Sequence, residues 1–405
     1  MEEMEVERFP DLTREVKKWK VWIMVFFATL INIMTFGISF SFGIFQDEYK
    51  KNILKNESNL AISFIGTIAG SLTYLLSVAI SRYLYKENMK WIMLSGSILM
   101  SLGLILASFS TRLWQFYITQ GFMFGLGSSM VYIPSISSIP QWFNENRALA
   151  MGIVSSGTGI GGLIFSPFTN YLITKYSWEW CLRIMGIIIF ITMISSSLII
   201  KQRYQVNKPL AIINKPIVKN NKFILSCLST LFQSTGYLVP LYFMPEYSQT
   251  LGFTVETSSL FLGIHNGLSA FGKITLGLIA DKYGRQNMIF SSCLISTLSV
   301  FCLWMIKSKN TFIAFNIIYA MTSGNSVSLF PTVIADIFGI ENFSTVNSLT
   351  YFIRGVGTLV GTPLGGYILD VTNEFVYIII YVGISLALAT IFILLLRLYY
   401  KKKIV

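Results

Sequence analysis

Charged residues are scarce in this sequence. They make up 12% of the 405 residues, whereas soluble globular proteins carry roughly 25%. Hydrophobic residues make up 53%, and a soluble protein of this length needs a charged shell that so few charges cannot build. The composition therefore excludes an ordinary soluble protein and favours an integral membrane protein.

Histidine and cysteine are also scarce. The chain has one histidine and four cysteines, and the cysteines lie in apolar stretches without paired spacing. We therefore expect no disulfide, metal site or cofactor. A phosphate-binding loop ending in Gly-Lys-Ser/Thr is absent, so direct ATP drive is not expected. One histidine, with no acid in the middle of any apolar run, offers no catalytic constellation, and we do not expect an enzyme.

Apolar runs of about 20 residues recur along the chain, separated by short polar breaks. Each is long enough to cross about 30 Å of hydrocarbon. The sequence therefore predicts an all-α membrane protein with twelve transmembrane helices. We place them at residues 20–45, 60–81, 89–109, 113–135, 148–171, 178–200, 222–245, 258–280, 287–306, 311–335, 344–369 and 375–397.

Lysine and arginine are distributed unequally between the two sides of these predicted helices. With the N-terminus inside, the cytoplasmic loops and tails carry 21 of them and the outer loops carry seven. Basic loops favour the cytoplasmic side, so we expect both termini there. The basic loops explain the net charge of +12, and we expect no nucleic-acid partner. The chain ends without a retention or peroxisomal signal, and the plasma membrane is the default location.

Internal similarity divides the chain into two halves. Residues 201–221 form the longest interior polar segment and separate six predicted helices from six. The similar segments are Ser77–Tyr85 with Gly277–Arg285, Pro134 with Pro331, and Ser166-Pro167 with Thr362-Pro363. We therefore predict two pseudo-symmetric six-helix bundles with a substrate site near the membrane midplane between them. The expected units are a cytoplasmic tail (1–19), a bundle (20–200), a linker (201–221), a second bundle (222–397) and a basic tail (398–405).

One motif, Gly277-x-x-x-Asp281-Lys-x-Gly284-Arg285, spans the end of predicted helix 8 and the short loop after it. Glycine permits a tight reversal, and the acid can pair with a base or with a helix end. The motif resembles the loop signature between helices 8 and 9 of the major facilitator superfamily, which implies a cytoplasmic gate. In the first-half copy, Ser81 stands where the acid would be. A generic basic turn is the alternative interpretation.

The start of predicted helix 5 is the most specific stretch. It reads Gln141-Trp-Phe-Asn-Glu-Asn-Arg147-Ala-Leu-Ala-Met-Gly152 and leads into further glycines. This pattern resembles the fifth helix of the monocarboxylate transporter family, and the run from Arg354 to Pro363 resembles the eleventh helix of its fungal branch. The resemblance implies alternating-access transport. Arg147 then belongs to the gate, and we expect Asp281 to lie beside it at the start of helix 5.

Two cations, Lys273 and Arg354, lie well inside predicted helices. Intramembrane charges are costly, which makes each a functional hypothesis. We expect these two to bind an anionic or carboxylate-bearing substrate. Arg183 is nearer a helix end, where snorkelling explains it. Polar residues that either line the pocket or make packing hydrogen bonds are Asn32, Tyr132, Gln233, Tyr237, Asn266 and Asn325.

The chain departs from the animal members of the resembled family. Ser269 and Ser39 stand where those members have the Asp and Lys that the family uses for proton coupling. His265 is either a proton-coupling group or a packing residue. Transport of a small organic anion or monocarboxylate-like metabolite is the leading hypothesis. The alternatives are a facilitator or exporter of a larger solute such as a riboflavin-like vitamin, and a non-transporting membrane sensor. The expected partners are the solute and the lipid bilayer, and an accessory membrane protein stays open.

Overall fold

The structure is a computed structural model that describes residues 18–84, 88–143, 145–203 and 218–399. The predicted tails and linker fall largely in residues 1–17, 204–217 and 400–405, which lie outside the described ranges.

The described residues form twelve long helical segments, as the sequence predicts. They are α1 (Trp19–Ile53), α2 (Ala61–Arg82), α3 (Asn88–Ala107), α4 (Leu113–Gln141), α5 (Arg147–Lys175), α6 (Trp178–Ile199), α7 (Asn221–Thr250), α8 (Val255–Tyr283), α9 (Arg285–Trp304), α10 (Lys309–Ile340), α11 (341–372) and α12 (Phe375–Tyr399). Ten are long and apolar enough to cross a membrane. The other two, α8 and α11, also exceed the roughly 20 residues that a span needs.

Several helices are longer than the predicted runs. For example, α1 continues to Ile53 instead of ending near residue 45, and its last turn is a π-helix over Tyr49–Ile53. The prediction stopped where charges begin, but a helix keeps its backbone hydrogen bonds after it leaves the apolar layer. Near the end of α10, Gly339 has a φ of 75° and breaks the helix, and α11 follows with almost no loop.

Two groups of six helices repeat the same arrangement. Proline lies inside α4 and α5 in the first half and inside α10 and α11 in the second. In the first half α5 packs closely on α1, where a Cβ added at Gly161 would overlap the carbonyl oxygen of Ile33. In the second half α11 packs in the same way on α7, with Gly361 against Thr235. The predicted fold class, an all-α membrane protein of two pseudo-symmetric six-helix bundles, is therefore confirmed.

The halves meet along two pairs of helices. A Cβ at Gly159 of α5 would overlap the carbonyl oxygen of Asn266 in α8, so the two backbones are in contact there. On the other side of the bundle, Tyr74 of α2 stacks on Tyr351 of α11 with ring centroids 5.8 Å apart. Small residues permit this approach within a membrane, where packing drives helix association.

Adding a methyl group at Gly159 should therefore push the halves apart. We expect Gly159→Ala to cost about 1–3 kcal/mol through overpacking, and to lower the melting temperature of the detergent-purified protein. Gly267→Ala in α8 is the matched control, because its added Cβ has nothing within 4 Å. Equal melting temperatures for the two variants would contradict close packing between α5 and α8.

Candidate functional site

A carboxylate from the second half caps a helix of the first half. Asp281 of α8 accepts hydrogen bonds from the backbone N–H groups of Ala148 (3.1 Å) and Leu149 (2.8 Å). These groups lie in the first turn of α5, where no helical partner exists and where the helix dipole favours negative charge. Asn146, which precedes the helix, makes no side-chain cap. Asp281 therefore occupies the position predicted for it, beside the start of helix 5.

Asp281 belongs to a group of four charged side chains, which we call the gate network: Arg147, Asp281, Arg285 and Asp336. Asp336 of α10 accepts from Nη1 of Arg147 and from Nη1 of Arg285, each at 2.9 Å. Arg285 also donates from Nη2 to Asp281 at 2.8 Å. Their side chains are between 7% and 28% exposed, so salt screens these pairs less than it screens surface pairs. The network ties α5 to α8, α9 and α10.

The two glycines of the motif have separate structural roles. A Cβ at Gly277 would lie 2.8 Å from the carbonyl oxygen of Ala148, so this glycine lets α8 touch α5. Gly284 has φ of 98° and forms the tight reversal between α8 and α9.

One member of the network, Asp336, was not among the predicted site residues. The available signal was an acid three residues before Gly339, directly after predicted helix 10. The first-half copy of the Gly277–Arg285 motif, Ser77–Tyr85, contains no acidic residue. There, Ser77 donates to the carbonyl oxygen of Ser348 in α11 at 2.8 Å, and Ser81 donates within its own helix to Val78.

Lys273 lies between the two halves. From α8 its Nζ donates to Oγ1 of Thr158 (2.6 Å) and to the carbonyl oxygen of Ser155 (3.3 Å), both in α5. Its stem packs against α10, where a Cβ at Gly324 would come within 2.6 Å of Cε. The residue is 3% exposed.

Arg354 of α11 lies in the second half beside several predicted pocket residues. Its Nη1 donates to Oε1 of Gln233 in α7 at 3.0 Å, and its guanidinium lies 6.0 Å from the ring centroid of Tyr351. Tyr132 of α4 meets the same ring edge-on at 5.9 Å. The structure thus brings Arg354, Gln233 and Tyr132 together, while the backbone carbonyl of Tyr237 accepts from the Tyr319 hydroxyl.

Neither Lys273 nor Arg354 has an acidic partner among the residues that the structure describes. The described ion pairs are those of the gate network and an exposed Lys51–Asp47 pair. A buried cation needs a counter-charge or dense hydrogen bonding to offset desolvation. The described residues supply neither of these two cations with a counter-charge.

The remaining candidates make the following contacts. Asn266 lies between α8 and α5, where a Cβ at Gly162 would lie 2.8 Å from its Nδ2. Asn32 donates to the carbonyl oxygen of Ala28 in its own helix. His265 is 1% exposed, and its Nδ1 is 3.0 Å from Oδ1 of Asn316 in α10. The histidine contacts favour the packing alternative. Asn325 donates to the carbonyl oxygen of Met321.

Removing the charge of Asp281 should loosen the contact between the halves. We expect Asp281→Asn to increase the rate at which a maleimide reacts with a cysteine introduced at Ser77. This residue of α2 is fully buried against α11. The background would lack the native cysteines. Asp47→Asn removes a carboxylate from an exposed pair and is the matched control. An unchanged rate in Asp281→Asn would show that the cap does not hold the halves closed.

Comparisons with known proteins agree with this architecture. The family model described as "Major Facilitator Superfamily" matches residues 21–311 and 227–404. An "MFS-type transporter" of Gibberella moniliformis is 29% identical over 399 residues, covering 97% of this chain and 93% of that protein. The "Agnestins efflux protein" of Paecilomyces divaricatus is 28% identical, with 91% and 85% covered. The "Aspyridones efflux protein" of Emericella nidulans is 27% identical, with 93% and 76% covered.

A solved structure shares the fold at low sequence identity. The E. coli fucose:proton symporter superposes with a TM-score of 0.70 and 11% identity, covering 93% of this chain and 99% of that chain. At this identity the likeness shows the arrangement of helices and nothing about the solute.

Proposed function

The chain belongs to the major facilitator superfamily, and we propose that it moves a small organic anion across the membrane by alternating access between its two six-helix halves. One observation carries the choice of an anion. Lys273 and Arg354 are 3% and 5% exposed and have no acidic partner among the described residues. A transported carboxylate supplies the missing negative charge.

Arg354 is the better suited of the two to hold a carboxylate. A guanidinium has five N–H donors in a planar fork that matches a carboxylate, and one described hydrogen bond, to Gln233, uses one of them. The nearby tyrosine rings keep the group away from water. In this proposal Arg354 binds the charge, Gln233 orients the guanidinium, and Tyr237 stays a candidate pocket residue.

Lys273 links binding to movement. Its ammonium group is held by Thr158 and by the carbonyl of Ser155, both on the opposite half. A bound anion competes with α5 for this ammonium group and thereby weakens one of the contacts that hold α5 against α8. A ligand shifts a conformational equilibrium by the difference between its affinities for the two states, and this competition supplies such a difference.

The gate network sets the direction in which the site opens. We place the termini in the cytoplasm on the basis of the charge bias, so the network closes the cytoplasmic end and the site faces outward. Opening inward then requires Asp281 to leave the first turn of α5. The names of two relatives, both called efflux proteins, support export as the physiological direction and keep export of a larger solute as the second candidate. Membership of the monocarboxylate transporter family and residence in the plasma membrane are part of the same proposal.

The two cations should control uptake of anions by proteoliposomes. We expect saturable uptake of radiolabelled benzoate or lactate, and a loss of about tenfold or more in Lys273→Gln and in Arg354→Gln, because each variant removes a charge-assisted hydrogen bond donor. Arg183→Gln is the matched control. That arginine, near the start of α6, donates to Ser108 and lies 4.6 Å from the ring centroid of Phe109.

Several results would contradict the proposal. Uptake that falls equally in Arg183→Gln would indicate a general effect of removing a cation. Preferential uptake of neutral solutes over anions by the wild-type protein would exclude anion binding by Lys273 and Arg354.

Proton coupling should not depend on His265. We expect His265→Asn to leave unchanged the ratio of uptake with and without an inward proton gradient, because the imidazole is buried against Asn316 within the second half. Anion uptake without a gradient serves as the control for folding. Loss of the gradient effect with normal gradient-free uptake would make this histidine the coupling group.

A further inference from the structure

One face of α11 is polar over two turns in the middle of the second half. Asn347, Thr350, Tyr351 and Arg354 follow the i, i+3, i+4, i+7 spacing that puts side chains on the same side of a helix. Together with residues of α7 and α10 they line a narrow cleft that is partly open. The residues opposite them are Thr230 on α7 and Val327, Phe330 and Pro331 on α10.

Asn347 is the unexplained residue of this cleft. It is 1% exposed, and neither its Nδ2 nor its Oδ1 has a hydrogen-bond partner. A carboxamide offers two donors and an acceptor, and buried polar groups in native proteins are nearly always paired. Thr350, one turn away, donates to the backbone carbonyl of Asn347 and leaves the carboxamide unpaired. The side chain therefore has capacity for a ligand that both accepts and donates.

Arg354 stands at the other end of the same face. Long side chains on a helix lean toward its N-terminus, and the Arg354 guanidinium accordingly lies over the ring of Tyr351. Asn347 lies about two helical turns before Arg354 on this face. A cation and an unpaired carboxamide thus share one cleft, with Val327, Phe330 and Pro331 as an apolar wall.

We propose that this cleft binds the polar head of the transported molecule, and that this head carries an amide or lactam group beside its anionic group. The inference rests on the proposed function, because it assumes that Arg354 holds the anion. A simple carboxylate satisfies the donors of Asn347 but leaves its Oδ1 unpaired. A ligand amide satisfies both, since its carbonyl accepts from Nδ2 and its N–H donates to Oδ1. The apolar wall contacts the acyl or ring portion next to that amide.

The Tyr351 ring connects this cleft to the first half. One side of the ring stacks on Tyr74 of α2, and the residue also lines the cleft. A ligand head bound against Tyr351 therefore touches a ring that itself takes part in the contact between the halves.

A pair of probes that differ in one N–H group tests the proposal. Hippurate has a carboxylate, an amide and a benzoyl group, and O-benzoylglycolate replaces the amide N–H with an ester oxygen. Uptake of both, and of benzoate, would be measured in proteoliposomes for wild type, Asn347→Leu and Asn342→Leu. Asn342 is the matched control, because it lies on α11 outside the cleft and donates to the carbonyl oxygen of Phe338.

We expect wild type and Asn342→Leu to prefer hippurate over the ester by about tenfold or more, because the ester leaves Oδ1 unpaired. In Asn347→Leu the ratio should fall to about one, while its melting temperature without ligand stays the same or rises. Asn347→Ser provides a second test of the ratio if the leucine variant does not give a monodisperse protein.

Two outcomes overturn the proposal and are distinct from each other. Benzoate uptake that depends on Arg354, with a hippurate-to-ester ratio of one in wild type or unchanged in Asn347→Leu, rejects the amide subsite and leaves anion transport standing. In that case Asn347 holds water. Absence of uptake for all three anions by a folded wild-type protein rejects both the subsite and the proposed function.

Discussion

The contact between α5 and α8 is the constraint on which the rest of the structure depends. At one end, Asp281 takes the free N–H groups of the first turn of α5. In the middle, Lys273 donates to Thr158 and to the carbonyl of Ser155. Because an aliphatic interface gains little between helices in lipid, such polar contacts and close backbone packing decide where the halves meet. Every movement that opens the site toward the termini must break them.

The two halves contribute unequally to this closure. The second half supplies an acid that caps a helix and pairs with Arg285, and the first-half copy of the same motif supplies Ser77 and a single hydrogen bond to α11. On the side containing α5 and α8 the halves are joined by the Asp281 cap and by Lys273, and on the side containing α2 and α11 Tyr74 stacks on Tyr351 and Gly355 packs against the backbone of Leu75.

Sequence reasoning predicted the repeat, the twelve helices and the position of Asp281, since each of these follows from local patterns or from a motif with known geometry. It identified Lys273 and Arg354 because a charge inside an apolar run is visible without a structure. It did not find Asp336 or Asn347. Their importance depends on which side chains of other helices face them, and that register is a tertiary property. Some helices, such as α1, extend past their predicted ends, because a helix continues beyond the apolar layer that the sequence reveals.

The distance between the two halves at the end that carries the termini reports whether the α5–α8 contact keeps that end closed. Tyr83, after α2, and Tyr283, at the end of α8, are 53% and 69% exposed, and spin labels at these positions report one distance by pulsed electron resonance. In the unliganded protein we expect one short distance. A second, longer distance should grow when a transported anion is added, and should dominate when Asp281 is replaced by asparagine. A distribution that responds to neither change would contradict closure by the α5–α8 contact.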